Sequence, residues 1–376
     1  MPDREPPVSA ELYIGLMSGT SIDGIDAALV DFATPGPKLL GHYHQPWPPA
    51  VRDLLKRLSQ PGDNEIEQLG VADISVANHF AEAVAGLLYQ TGIQARQVRA
   101  IGSHGQTIRH RPGAAHPFTL QLGDPNHLAE KTGITVVADF RRRDMAAGGE
   151  GAPLAPGFHA ACWHSAAEFR VILNLGGIAN ITLLPADAAA PVTGFDTGPA
   201  NTLMDGWVDC VQQRPFDEQG AWAASGRVIE ELLDRLLADT YFKRPPPKST
   251  GPELFNLDWL RRQLPEPSAH RPEDIQASLC ALSSRSIIQA IKRYAPGCER
   301  VICCGGGTKN PTLMNQLRQG LDTPVETSAA HGIDPDRIEA MAFAWLARQT
   351  LLGLPGNLPE VTGARHPVIL GGIYRA

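Results

Sequence analysis

Three glycine-marked turns and one carboxylate carry the chemistry that can be read along this chain. The first turn is Gly19-Thr20-Ser21-Ile22-Asp23-Gly24-Ile25-Asp26. Small residues at a hairpin tip let backbone N–H groups and hydroxyls close around phosphate oxygens without a side chain in the way. It is not a Walker A loop, because the chain has no GxxxxGK[ST] run. The second turn is Asn174-Leu175-Gly176-Gly177-Ile178-Ala179-Asn180. Taken alone, either turn reads equally well as a plain tight hairpin. The third follows an apolar strand, Val301–Cys304, and runs Gly305-Gly306-Gly307-Thr308-Lys309-Asn310 into an apolar helix. Three glycines let a flat ring approach the backbone, and the helix N-terminus favours an anion. The carboxylate is Asp196, within Gly194-Phe195-Asp196-Thr197-Gly198-Pro199. On a tight, small-sided loop after a strand it can act as a general base. It can equally cap the helix that the pattern predicts over Asn201–Val208.

Further polar residues stand beside predicted elements. His104 and Gln106 follow the buried strand Val98–Gly102 in a glycine-flanked turn, GSHGQT. They can contact ligand hydroxyls or brace the loop. Arg141-Arg142-Arg143 follow the strand Thr135–Phe140; they can hold an anion, or be solvated and paired to Asp139 and Asp144. Glu339 opens a strongly apolar helix over Ile338–Leu352, as a ligand contact or as an N-terminal helix carboxylate.

The elements that must position these residues form two halves. The first opens with strand Leu12–Met17, a short tip and strand Ile25–Phe32. A helix over residues 65–90 is predicted from apolar residues at Ile66, Leu69, Val71, Ile74, Val76, Phe80, Val84, Leu87 and Leu88. The second half restarts with strands Arg170–Leu175 and Ile178–Leu184, then strand Val192–Phe195, a helix over residues 274–294 and another over 312–321. Pro245-Pro246-Pro247 and the proline-rich stretch 264–272 read as loop punctuation. The expected organisation is a loose leader over 1–10, a first domain of 11–140 plus 363–376, and a second of 141–362. The second carries an insertion or lid at about 212–272, and a cleft lies between the two.

The bulk properties fit this. The 376 residues are 43% hydrophobic, enough for sizeable cores. A net charge of -7 argues against general nucleic-acid binding, which needs a basic surface. The N-terminus has no basic then apolar signal pattern, and no unbroken apolar run of about 18 residues occurs, so no membrane span is expected. The six cysteines contain no CxxC pair and read as reduced, buried thiols of a cytoplasmic protein.

In their order, the two hairpin tips and the GGG turn resemble the phosphate-1, phosphate-2 and adenosine motifs of the actin/Hsp70/hexokinase superfamily. That resemblance implies the α/β duplicated actin/sugar-kinase (ribonuclease H-like) two-domain fold, with ATP as the nucleotide. One departure stands out: the acidic residue expected before each phosphate loop is replaced by Met17 and Asn174. Mg2+ would then be held by Asp23 or Asp26, or mostly by phosphate and water. A narrower resemblance rests on GLMSGTSIDG from Gly15, GSHGQT from Gly102, VADFRRRD from Val137, GFDTGP from Gly194, AWAASG from Ala221, KSTG from Lys248 and MAFAW from Met341. These runs are similar to those of anhydro-N-acetylmuramic acid kinases and span nearly the whole chain after the leader.

The family resemblance implies that water opens the 1,6-anhydro bridge of 1,6-anhydro-N-acetylmuramic acid and that O6 then takes the γ-phosphoryl group of ATP, in cell-wall recycling. It assigns proton abstraction from that water to Asp196. It also gives Arg143 a carboxylate on the substrate to bind, and it implies a cytoplasmic homodimer. Another small-sugar or carboxylate kinase of the same fold is the competing enzyme, and a nucleotide-switched module is the non-enzymatic alternative.

Overall fold

The structure, a computed structural model, describes residues 10–19, 21–34, 36–264 and 270–376. The chain divides into two compact units: one runs through Cys162 and resumes at Arg337, and the other is Trp163–Asp336.

The first unit is built on seven strands. These are β1 (Leu12–Ser18), β2 (Gly24–Asp31), β3 (Lys38–Pro46), β4 (Val98–Arg111), β5 (Phe118–Leu122), β6 (Val136–Ala138) and the C-terminal β12 (Gly372–Tyr374). Their order is β12-β6-β4-β1-β2-β3, with β5 added to β4. The β1–β2–β3 triplet is antiparallel, and β4 and β6 run parallel to β1. β1 is central and covered on both faces, which is why LYIGLM reads as a continuous apolar run. Helix Glu65–Thr91 covers one face through Ala72, Val76, Phe80, Ala83, Val84 and Leu87.

Ile66, Val71 and Ile74, expected in its apolar stripe, stay exposed because the core face is the row through Ala72, Val76 and Phe80. By length and composition alone this helix is apolar enough to cross a membrane, with Val71 and Ile74 adding to the apolar residues of its core face. The other face of the sheet receives helix Ile338–Leu351. That helix was expected in the second domain, but its backbone lies against Gly15 of β1 and Gly102 of β4. The unit boundaries therefore fall after Cys162 and before Arg337, not after residues 140 and 362.

The second unit repeats the pattern with β7 (Arg170–Leu175), β8 (Ile178–Leu184), β9 (Thr193–Pro199), β10 (Arg300–Cys304) and β11 (Val325–Thr327), in the order β11-β10-β7-β8-β9. Again three strands are antiparallel and two follow in parallel. Two units with one strand order, each opened by a hairpin, are the duplicated fold expected from the sequence.

The segment expected as an insertion or lid is woven into this unit's core. It forms short helices, among them Glu230–Leu237 and Leu257–Gln263, and buries Leu232, Leu233, Leu236, Phe255, Trp259 and Leu260. Of the proline-rich stretch, residues 265–269 lie outside the described residues. None of the six cysteines forms a disulfide; Cys280, Cys303 and Cys304 are buried as expected, whereas Cys162 and Cys298 are half-buried and Cys210 is exposed.

Candidate active site

In the first unit the β1–β2 connection is a tight turn in which the Ile22 N–H donates to the Gly19 carbonyl, 3.2 Å. Ile22 adopts a φ of 53° there. Thr20 lies outside the described residues. Asp23 turns back on the loop, its Oδ1 accepting from Ser21 Oγ and the Gly24 N–H at 2.9 and 3.0 Å. Ile22 and Ile25 are buried in the core, so only their backbone can serve a ligand.

Asp26 stands on β2. Its Oδ1 is shared by His42 Nε2 and His44 Nδ1, both at 3.0 Å, and by Arg337 at 3.4 Å. Burial works to raise its pKa, but the hydrogen bonds from His42 and His44 outweigh that and hold it below the usual carboxylate range. Among the described residues no cluster of three His, Cys, Asp or Glu could hold a metal ion. With both carboxylates already committed, the residues do not fit a dedicated Mg2+ cage.

The GSHGQT run is strand, not turn. β4 continues through it to Arg111, and Gly105 suits glycine twice over: its φ is 77°, and a Cβ there would crowd the Leu122 carbonyl oxygen. Gln106 is fully buried. Its Nε2 donates to the Gly19 and Thr107 carbonyls, and its Oε1 lies 2.6 Å from Ser18 Oγ. Ser18 Oγ also lies 2.7 Å from the Gly24 carbonyl and accepts from Trp47 Nε1. Gln106 thus braces the hairpin tip and has no side-chain group turned outward.

His104 is also buried and packs on Phe343, ring centroids 4.7 Å apart. Its Nε2 accepts from Arg141 Nε and Nη2, which fixes the neutral tautomer with the proton on Nδ1. Burial, then the Arg141 charge, pushes its pKa well below the ordinary value. Arg141 itself is lowered to about 10 by burial, with Glu339 and Asp144 opposing. The three arginines therefore divide. Arg141 is structural, Arg142 pairs with Asp139 at 3.2 Å, and Arg143 is exposed, with no ion pair recorded among the described residues. Asp144 is not their partner, being buried and satisfied by the Gly151 N–H, Asn357 Nδ2 and Thr362 Oγ1. Glu339 is exposed in the first turn of its helix.

In the second unit, the β7–β8 tip is tied down by its carbonyls. Asn201 Nδ2 donates to Leu175 O and Gly176 O, and the Ala200 and Thr202 N–H groups donate to Gly177 O. The GGG turn packs against this tip. A Cβ at Gly305 or Gly307 would collide with Leu175, whereas one at Gly306 would meet nothing within 4 Å. Only Gly306 is therefore open to a ligand; the other two glycines serve packing. Asn310 caps helix Pro311–Gly320 through the Leu313 N–H, and Asn174 sits beside Cys304.

Asp196 lies within β9 rather than in a loop after it, since the strand continues to Pro199 across a bulge at Thr197. Its carboxylate does not cap the helix Thr202–Gln212; Oδ2 accepts from the Thr250 N–H at 3.0 Å. The Tyr241 hydroxyl donates to the Asp196 carbonyl, 2.7 Å, and the Asp196 N–H donates to Lys248 O, 3.1 Å. Neither Tyr241 nor Asn201 stands in a recognisable motif; Lys248 lies in the proline-rich, small-residue run PPPKSTG, which is a visible signal.

The model of the family described as anhydro-N-acetylmuramic acid kinase matches residues 11–376. The chain is 53% identical to the anhydro-N-acetylmuramic acid kinase of Xylella fastidiosa, over all of this chain and 99% of that one. It is 52% identical to that of Shewanella amazonensis, over 98% and 100% of the two chains. The chain belongs to the anhydro-N-acetylmuramic acid kinase family. Likeness to solved structures is looser. Component A of the (R)-2-hydroxyglutaryl-CoA dehydratase of Acidaminococcus fermentans is 10% identical, with a TM-score of 0.49 over 89% of this chain and 96% of that one.

For this anhydro-N-acetylmuramic acid kinase family member the bracing role of Gln106 has a measurable consequence. Gln106→Ala leaves the half-buried Gly19 carbonyl with the Ile22 N–H as its one remaining donor and takes a partner from buried Ser18, which costs about 1–3 kcal/mol. The urea midpoint should fall accordingly. An unchanged midpoint with a raised substrate KM would instead make Gln106 a substrate contact.

Proposed function

We propose that the protein uses ATP and water to convert 1,6-anhydro-N-acetylmuramic acid to N-acetylmuramic acid 6-phosphate and ADP, in cell-wall recycling. The observation that carries this reading is the match along the whole of residues 11–376, at about half identity to relatives of that name. In the proposed reaction Asp196 takes a proton from water as the water oxygen bonds to the anomeric carbon. The C1–O6 bond breaks, and O6 attacks the γ-phosphorus as the bond to ADP breaks. One water is consumed, and the proton is finally released to solvent. Phosphoryl transfer needs positioning and charge neutralisation more than covalent help.

The amides of the braced Gly19–Asp23 turn and of the Gly176-Gly177 tip are suited to the phosphates, and the open Gly306 backbone to the adenosine. Asn174 and Asn310 support these turns from within. Exposed Arg143 and Glu339 are assigned to the substrate carboxylate and to its hydroxyl or N-acetyl group; buried His104 holds Arg141, and buried Gln106 braces the Gly19 tip. Mg2+, bound mainly through phosphate oxygens and water, would neutralise phosphate charge. Cytoplasmic location and a homodimer belong to the same proposal.

The test is the mass of the sugar product after incubation with the anhydro-sugar, ATP and Mg2+ in heavy-oxygen water. One added phosphate and one solvent oxygen are expected. Phosphate without solvent oxygen would point to an ordinary sugar kinase, and no product would sink the reading.

A further inference from the structure

β9 is an edge strand: β8 pairs with one side, and among the described residues no further strand of the sheet follows on the other. At Asp196 both main-chain groups turn to that open side. The N–H is taken by Lys248 O and the carbonyl by the Tyr241 hydroxyl. Two residues beyond Lys248, the Thr250 N–H holds the carboxylate itself. Segment 241–250 thus does at one residue what a neighbouring strand would do, and adds a donor to the side chain.

Lys248 closes this arrangement. Its side chain is buried, 8% exposed. The ammonium donates to the Tyr241 carbonyl at 3.2 Å and lies over the Tyr241 and Phe195 rings, 4.6 and 5.8 Å from their centroids. It therefore links the two ends of the segment to the strand residue next to Asp196. A buried ammonium is costly unless compensated. The charged groups around it are Arg244 and Arg293, which oppose its charge, and Asp196, which favours it; burial is the largest influence and lowers its pKa. Tyr241, in turn, has its ionisation suppressed by burial and by Asp196, so its hydroxyl stays a donor. A lysine held against this cost, donating to the Tyr241 carbonyl and lying over the Tyr241 and Phe195 rings, is more than an apolar spacer.

We propose that Lys248 is a positioning residue for Asp196, acting through Tyr241 and the Thr250 amide to hold the carboxylate in its working orientation. The inference rests on Asp196 being the base of the proposed reaction.

The experiment measures steady-state kcat and KM for Lys248→Met and Tyr241→Phe, each alone and combined with Asp196→Asn. Alone, each should lower kcat about 10- to 100-fold, the loss that small misplacement of a reacting group brings, while both substrate KM values stay within about threefold. Combined with Asp196→Asn, each should add less than about twofold, because residues acting as one unit are not additive. Equal losses in both backgrounds, or Tyr241→Phe at wild-type kcat, would overturn the proposal. Should Lys248→Met melt early, Tyr241→Phe decides alone, since it removes one oxygen and keeps the ring under Lys248. Near wild-type kcat in the Asp196→Asn single variant would instead remove the base assignment on which the clamp depends.

Discussion

Asp196→Asn should lower kcat by about 10²–10⁴-fold, the usual contribution of a positioned general base. KM for ATP and for the sugar should move only a few-fold. The substitution keeps shape and still offers a carbonyl oxygen to the Thr250 N–H. The backbone bonds to Lys248 and Tyr241 are untouched, so β9 and the segment beside it should remain in place. What is lost is a group able to accept the proton of the attacking water. Initial rates of ADP release with saturating sugar measure the effect. Retention of more than about a tenth of kcat would lie outside the range of a lost general base and would move that role to another residue.

Gly15→Ala and Gly102→Ala should each destabilise the protein by about 1–3 kcal/mol or more, the cost of overpacking a filled core. The two glycines are register partners on the parallel strands β1 and β4. Together they form a bare patch on which helix Ile338–Leu351 lies with its backbone in contact. A Cβ on Gly15 would overlap the Ala340 carbonyl oxygen, and one on Gly102 the Phe343 carbonyl oxygen. Neither neighbour is the end of a flexible side chain, so relief requires moving the helix, and with it Phe343 from beside His104 and Arg337 from beside Asp26. Urea titration or thermal melting reads the loss. Gly306→Ala is the control, because a Cβ there meets nothing within 4 Å, and its stability should stay within about 0.5 kcal/mol of the parent. Equal melting of all three variants would refute the packing account.

These glycines mark where sequence reading stopped. Gly15 was legible as part of the strand Leu12–Met17 that leads into the first turn, but its contact is with residues over three hundred positions away. The polar strand β3 and short β5, β11 and β12 went unread, because edge and half-buried strands lack a strong apolar period. Gln106 suited a ligand contact by type alone. Only the fold places Ser18 and Gly19 against it and so uses up its amide.

By itself the sequence determined the repeated hairpin-led α/β units, the three glycine turns and the family. Those features depend on residues close together in the chain, where periodicity and motif spacing carry the physics. The tertiary structure decided which unit owns the helix at 338–351, that the presumed lid is core, which glycines serve packing, and how Asp196 is held on an open strand edge. Each of these depends on backbone or side chains from distant segments meeting within a few ångströms, and no local pattern of residue types encodes that distance.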